Sequence, residues 1–566
     1  MRFRFRLLVL LIMAGRAVYP ALPIMPVDSL KPGMKGTGYS VFSGTKPEPF
    51  QVEIIDVMHR TTPRGDIILA RLSGAGLEQT GVIAGMSGSP VYIDGRLVGA
   101  VAYAWAFAKE PIAGITPAGE MLKIWELPDT VKTGAVRPLG SGYRSELNLP
   151  AVPLALSGFS SRLEALVAPV LSRHGLVPVA GGIAGSDDTA ELVPGGAVGV
   201  ALIDGDVRAA AIGTVTARDG NRILAFGHPM FLAGAVRLPL TGGRIHSVLP
   251  SMNISAKLFS PSKPVGVVNQ DRLTGISGII GPEAPMIPVR VHIQSPVTDD
   301  SYRFRVADHE QLTPDFLPVG LIQTVLQTEG MMEDYALETR VQLVFERQGR
   351  NRVEVRHLFS GTEPLSQMME KFSAELALLF GNPIEPVSLR AVEAELKFHP
   401  GRRICQLISA RSERSRVQPG DTFGILLRLR DYRGEETEKR VTLTVPPAAS
   451  PGPLTLTLTS RDDFLNQELG DAGELAQPKT LDGLLRLLGE SGREDELVIA
   501  GYVRKPGLRL DNQAELPQAP PSIQRVLGVP RSLGEVRPVP ASRLFKTIVP
   551  LDRVVIGSAT IEVEVK

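Results

Sequence analysis

A mainly β fold is predicted for this chain by three features of its sequence. Glycine (57) and proline (46) are both frequent while aromatic residues reach only 5 %, which fits many turns and short strands better than long helices. Asp94-Gly95 separates the apolar runs Val91-Tyr92-Ile93 and Arg96-Leu97-Val98-Gly99-Ala100-Val101. An Asp-Gly between two such runs signals a hairpin, because both central residues of a type I′ turn need positive φ. Short apolar runs bounded by turn residues then recur through residues 191–300 and again through 401–566.

A chain of 566 residues is too long for one hydrophobic core, and its length predicts roughly three to five domains. Residues 33–130 read as a β-rich unit. Turn chemistry at Gly33–Gly38 precedes the short strand Tyr39–Phe42, and Gln51–Met58 and Asp66–Leu72 follow as strands. Residues 131–194 have weak periodicity and read as a connector with one helix near Ser160–His174. In residues 195–300 the strands are Val198–Ile203, Ala209–Thr216 and Ile223–Phe226, with Asp204-Gly205-Asp206 and Arg218-Asp219-Gly220-Asn221 as turns.

Residues 301–400 carry the clearest helices. Thr313-Pro314-Asp315 is a helix start with proline at the first position, and Leu365, Met368, Met369, Phe372, Leu376 and Leu379 form one apolar face that stops at Gly381. Residues 401–566 return to strands, among them Phe423–Leu429, Arg440–Val445 and Leu454–Leu458, and suggest a β-sandwich-like module.

Charge and motif content exclude several functions. Lys and Arg total 61 against 60 Asp and Glu, so nothing electrostatic favours nucleic acid as a partner. The single cysteine, Cys405, permits neither an internal disulfide nor a Cys-based zinc site and reads as a small buried hydrophobe. There is no phosphate-binding loop of the Gly-x-x-x-x-Gly-Lys-Ser/Thr form and no His-Glu-x-x-His zinc helix. Asp187-Asp188 and Asp204/Asp206 lack EF-hand spacing and read as turn residues. No metal or cofactor is expected.

The N-terminus reads as a secretory signal peptide over residues 1–21. Arg2, Arg4 and Arg6 form a positive region, Leu7–Ala14 is apolar, and Gly15-Arg16-Ala17 supplies small residues for cleavage. The apolar stretch is shorter than the roughly 20 residues that span a bilayer. An exported protein, secreted or in the periplasm or cell envelope, is therefore expected.

The sharpest chemical signal is Gly85-Met86-Ser87-Gly88-Ser89-Pro90. A nucleophilic serine needs an exposed Oγ on a tight turn with backbone N–H groups aimed at the developing oxyanion. Gly85 and Gly88 allow that path, and the N–H groups of Gly85 and Ser87 are the candidate oxyanion hole. The base candidate is His228 in Ala225-Phe226-Gly227-His228-Pro229-Met230, at the end of an apolar strand and bracketed by glycine and proline.

These two motifs together resemble the SpoIVB-type sporulation serine peptidases. Gly-Met-Ser-Gly-Ser-Pro, a strand, Asp-Gly, Leu97–Val101 and then Pro111–Ile115 are similar to that family's nucleophile region. Ala211–Thr216 through His228 resembles its histidine region, and the likeness continues to Gly242–Val248, Lys257 and Asp271-Arg272-Leu273. The resemblance implies a Ser-His-Asp triad on a chymotrypsin-like double β-barrel, with residues 33–130 and 195–300 as the two half-domains. It implies Ser87 as nucleophile, His228 as base, a protein or peptide substrate, and action at or outside the membrane, with other cell-envelope proteins as partners.

The sequence departs from the family twice. Ser87 precedes His228, whereas the family places its histidine region first; triads are defined by geometry and not by chain order. The position matching the family's acid is Ser73, which leaves Asp66, at the head of the preceding strand, as the expected acid and Asp271 as the alternative. A second reading remains open on these departures, a non-catalytic envelope scaffold that kept the peptidase fold, and a third is a protein that cuts itself once.

Overall fold

The computed structural model describes residues 22–62, 65–105, 107–129, 152–183, 185, 190–328, 334–472, 478–510, 515–527 and 536–566. The expected signal peptide and the pair Asp187-Asp188 lie outside the described residues. The chain is mainly β, as its turns and apolar runs predict. Strands β1 (Lys35–Ser40), β2 (Glu48–Thr62), β3 (Gly65–Ser73), β4 (Pro90–Ile93), β5 (Arg96–Ala104) and β6 (Ile112–Pro117) close into a barrel in the order β1-β2-β3-β6-β5-β4. The β4–β5 hairpin pairs Ile93 with Arg96 around Asp94 (φ +49°) and Gly95 (φ +73°), both in the left-handed region as a type I′ turn demands.

The stretch expected to be a connector supplies structure of its own. Strand β7 (Val152–Leu156) runs parallel to β8 (Leu176–Ala180), and the helix Ser161–Arg173 joins them. Ser160 caps that helix by accepting the Leu163 N–H. Strand β7 also pairs with the next unit, which sequence periodicity did not announce.

That unit consists of β9 (Ala197–Gly205), β10 (Ala209–Asp219), β11 (Arg222–Ala225), β12 (Gly234–Leu249), β13 (Ala256–Arg272) and β14 (Gly275–Ile280). Strand β9 pairs with β10, β10 with β11, β11 with β14, β14 with β13, β13 with β12, and β12 returns to β9. This ring repeats the connectivity of the first barrel strand for strand. The double barrel expected from the family resemblance is thus present, although the second ring is also part of a 13-stranded sheet.

Strands β9 and β10 are buried on both faces. They therefore read as continuous runs of small and apolar residues and not as an alternation. Val41, Ala197, Ala210, Ile212, Ile245 and Phe259 share one apolar cluster between the barrels. Gly44 and Ile245 exchange N–H···O bonds of 2.7 and 2.9 Å across the same seam.

Beyond the second barrel, β15 (Met286–Gln294), β16 (Asp299–Ala307), β17 (Tyr335–Phe345), β18 (Arg352–Ser360) and β19 (Leu389–Pro400) extend the sheet in the order β18-β17-β19-β15-β16-β9. The helices Thr313–Thr328 and Pro364–Phe380 pack on it, the second through the apolar face read from the sequence. Asp204 and Asp206 at the end of β9 serve the structure. Asp204 pairs with Arg305 at 2.6 Å, and Asp206 accepts the Arg303 N–H at 2.7 Å.

Of the three sheets that the described C-terminal residues form, the four-stranded and five-stranded ones enclose one core that includes Leu407, Ile425, Leu456, Ile499 and Val563, in keeping with the expected sandwich-like module. Cys405 is buried in it. Between this region and the preceding sheet, His357 is enclosed with Glu494 at 2.8 Å from Nδ1 and Glu375 at 3.1 Å from Nε2. Burial alone would lower its pKa, but the hydrogen bonds and charges of the two carboxylates outweigh it and raise it to about 9.

Free histidine titrates near 6.5. The His357 contribution to stability is therefore full below that pH and is lost as pH rises through about 9. Melting measured at pH about 7 and about 9.5 should show a fall for the native chain. The fall should be smaller in His357→Gln, whose side chain does not titrate.

Candidate active site

Ser87 and His228 occupy equivalent loops, each joining the third to the fourth strand of its barrel. In the first barrel the chain leaves β3, makes the short helix Leu77–Thr80 and reaches the turn Gly85–Ser89 before β4. In the second it leaves β11 and passes Phe226-Gly227-His228 before β12. Both loops meet at the seam between the barrels.

The Ser87 turn is fixed by strand β10. Thr214 donates its N–H to the Ser87 carbonyl at 2.7 Å and its hydroxyl to the Gly85 carbonyl at 2.9 Å. Thr216 donates its hydroxyl to the Gly88 carbonyl at 2.8 Å, and the Gly88 N–H donates to Val101 of β5 at 2.7 Å. Gly85 and Gly88 have φ of +99° and +97°, a region that favours glycine. At Gly88 space is also decisive: a Cβ would lie 1.9 Å from the Thr214 carbonyl oxygen and 2.5 Å from the Phe226 nitrogen. The serine turn and the histidine loop are therefore packed backbone against backbone.

Within the turn, Met86 and Ser89 donate their N–H groups to Ile83 and Met86 carbonyls, both at 2.9 Å. The N–H groups of Gly85 and Ser87 meet no acceptor among the described residues. These are the two donors that the sequence nominated for an oxyanion hole. Ser87 is partly exposed, whereas Gly85, Met86, Gly88 and Ser89 are buried.

The histidine loop is strained. Phe226, fully buried, has φ +70°, and Gly227 follows at +69°. A bulky side chain in this region costs about 1–3 kcal/mol and persists only where its surroundings dictate it. Thr116 of β6 donates its hydroxyl to the Gly227 carbonyl at 2.6 Å, which ties the loop to the first barrel. His228 is 1 % exposed and packs edge-on to Phe226 with ring centroids 5.9 Å apart. Its Nδ1 lies 2.8 Å from the Pro229 carbonyl. A carbonyl only accepts, so Nδ1 carries the proton there and Nε2 is the basic nitrogen of the neutral ring.

The two candidate acids have different surroundings. Asp66 accepts from the Arg60 N–H at 2.9 Å and meets His59 Nδ1 at 3.0 Å, both within the β2–β3 hairpin. The Arg60 hydrogen bond, with the His59 bond and charge, holds its pKa below the usual carboxylate value. Asp271, near the end of β13, is 1 % exposed and accepts the N–H groups of Met230 (2.9 Å), Phe231 (2.7 Å) and Ala233 (3.3 Å). Its carboxylate thus pins the segment that immediately follows His228.

Sequence reasoning did not anticipate the lacing by Thr116, Thr214 and Thr216, whose positions in apolar strands gave only a β signal. It also gave no role to Lys257. This lysine is fully buried beside the turn and donates to Ser40 Oγ at 2.9 Å; burial pushes its pKa down to about 7. Among the described residues no group of His, Cys, Asp or Glu could hold a metal ion.

No curated protein and no solved structure matches the chain. Over residues 18–120, which include the whole Ser87 barrel, the chain matches the family model of the SpoIVB peptidase S55, and that segment is similar to the SpoIVB-type serine peptidases.

Proposed function

We propose that the chain is an exported serine endopeptidase acting through Ser87, His228 and Asp271. The observation that carries this reading is the unpaired pair of N–H groups at Gly85 and Ser87. They flank a partly exposed serine in a turn whose other described N–H groups are bonded. Buried donors are rarely left unpaired unless a ligand or transition state uses them.

In this mechanism Ser87 Oγ attacks the scissile carbonyl carbon of a protein substrate while His228 Nε2 takes the hydroxyl proton. The carbonyl oxygen becomes negative and is held by the Gly85 and Ser87 N–H groups. His228 returns the proton to the leaving amine as the C–N bond breaks, which leaves an acyl group on Ser87. Water, activated by the same nitrogen, then releases the acyl group and restores the serine. Asp271 acts by fixing the segment after His228 and by placing negative charge behind the imidazolium that forms. Asp66, committed to His59 and Arg60, is set aside.

Export is supported by the basic and apolar N-terminal pattern. Among the described residues no helix is long and apolar enough to cross a membrane. A fluorophosphonate probe followed by peptide mass spectrometry is expected to find the adduct on Ser87. A well-folded sample that takes no label would overturn the reading.

The contrary reading, a peptidase fold kept as a scaffold, draws on one observation: His228 Nδ1 meets a backbone carbonyl where an active triad usually has a carboxylate. Failure of the probe would turn the assignment to this scaffold.

A further inference from the structure

Lys257 is the second residue of β13 and is fully buried. Its N–H donates to the Ala84 carbonyl at 3.1 Å, and the Ala84 N–H donates to Ser255 at 2.8 Å, so the start of β13 runs beside the entry to the Ser87 turn. Its stem passes under Gly85. A Cβ at Gly85 would lie 3.1 Å from the Lys257 Cδ.

The far end of the side chain reaches the other half of the turn. Lys257 Nζ donates to Ser40 Oγ at 2.9 Å, and Ser89 Oγ donates to the same atom at 3.0 Å. Ser40 and Ser89 are both fully buried. Lys257 therefore grips residue 84 by its amide and residue 89 through Ser40, on either side of Ser87.

A core that needed only filling would hold leucine or methionine here, because a buried ammonium costs several kcal/mol in lost hydration. What surrounds the side chain is uncharged: Ser40 from β1, Gly85 and Ser89 from the turn, Ile212 of β10 against the same point, and Val248 as its register partner on β12. The titratable residues on the packed elements are Lys35 and Tyr39 on β1, Arg218 and Asp219 on β10, and Arg237, Arg244 and His246 on β12, with His228 across the seam. The shift of Lys257 has burial as its cause and none of these.

We propose that Lys257 is a positioning residue for the nucleophile turn, and that its ammonium lends positive potential to the Gly85 and Ser87 N–H groups where the oxyanion forms. The catalytic meaning of this rests on Ser87 as nucleophile; the hold on the turn does not. With a pKa near 7, the charge is present below that pH and is lost above it.

Met86-Ser87 is the only Met-Ser pair in the chain. Carbonyl-13C methionine with 15N serine therefore yields a single amide signal, that of Ser87, in the full-length protein. Followed from pH about 5.5 to about 9, this signal should move with a midpoint near 7 in the native chain and in His228→Gln, and should lose that step in Lys257→Met. Should Lys257→Met fail to fold, Ser40→Ala keeps the amine and cuts its link to Ser89, so the step should shrink. A step that persists in Lys257→Met, that Ser40→Ala leaves unchanged, or that disappears only in His228→Gln, would overturn the proposal.

Fluorophosphonate labelling of Ser87 should slow about 100-fold in Lys257→Met, the scale of a small misplacement of reacting groups. If the native chain takes no label yet shows the Lys257-dependent step, the peptidase reading falls and the role of Lys257 in holding the turn stands.

Discussion

Ser87→Ala is expected to lower peptide hydrolysis by about 10⁶-fold, the loss found when a nucleophilic serine is removed from a triad. Its melting temperature should stay at the native value, because the turn is held by groups that alanine keeps. The Ser87 carbonyl still accepts from Thr214, and the flanking glycines still supply the positive φ. Ser89→Ala, two positions on, should do the reverse. It removes a buried hydroxyl bonded to Ser40, and the loss should appear first as destabilisation of about 1–3 kcal/mol. Hydrolysis of an unfolded protein substrate and thermal melting, measured on both variants, check the contrast. Hydrolysis that survives Ser87→Ala would remove this serine from the chemistry.

Asp271→Asn should reduce the rate by about 10⁴-fold, as loss of the triad acid does in other serine peptidases. Asp66→Asn should leave it near the native value. The difference follows from what each carboxylate holds. Asp66 bonds to His59 and Arg60 of its own hairpin, with a quarter of its side chain exposed. Asp271 is buried and receives three N–H groups from the segment after His228. An asparagine there turns one acceptor into a donor that faces donors, so a stability loss of about 1–3 kcal/mol should accompany the loss of rate. Rates are therefore to be compared at a temperature where circular dichroism shows both variants folded. Equal rates in native and Asp271→Asn protein would exclude Asp271 as the acid.

The sequence announced what is local. Asp94-Gly95 specifies its own turn, and the apolar stripe from Leu365 to Leu379 specifies its own buried face. The glycines around Ser87 specify a backbone path, and the two donors they frame are the ones left unpaired. What depends on pairing between distant segments stayed hidden. Strands β7 and β8 carry no period of their own, because their place is set by the pairing of β7 with β10. The sequence offers both Asp66 and Asp271 as acids, but the three N–H groups that Asp271 accepts depend on the register of a 17-residue strand and carry no local signal. Lys257 lies in Ala-Lys-Leu-Phe, where a lysine normally marks the solvent face. Only the fold shows it turned inward. The double barrel was legible only through the resemblance of its motifs, because the matching strand order of the two halves rests on distant pairings and not on a fixed-period repeat.

Under the proposed assignment, that repeated order puts the nucleophile in one barrel and its base in the other. As the chain is made from its N-terminus, the barrel bearing Ser87 is complete at residue 117, more than a hundred residues before His228 and further still before Asp271. On that assignment the site is incomplete until the second barrel has been made. Its first cut would wait until the second barrel has closed and docked, so that completion of the fold would itself be the activating event.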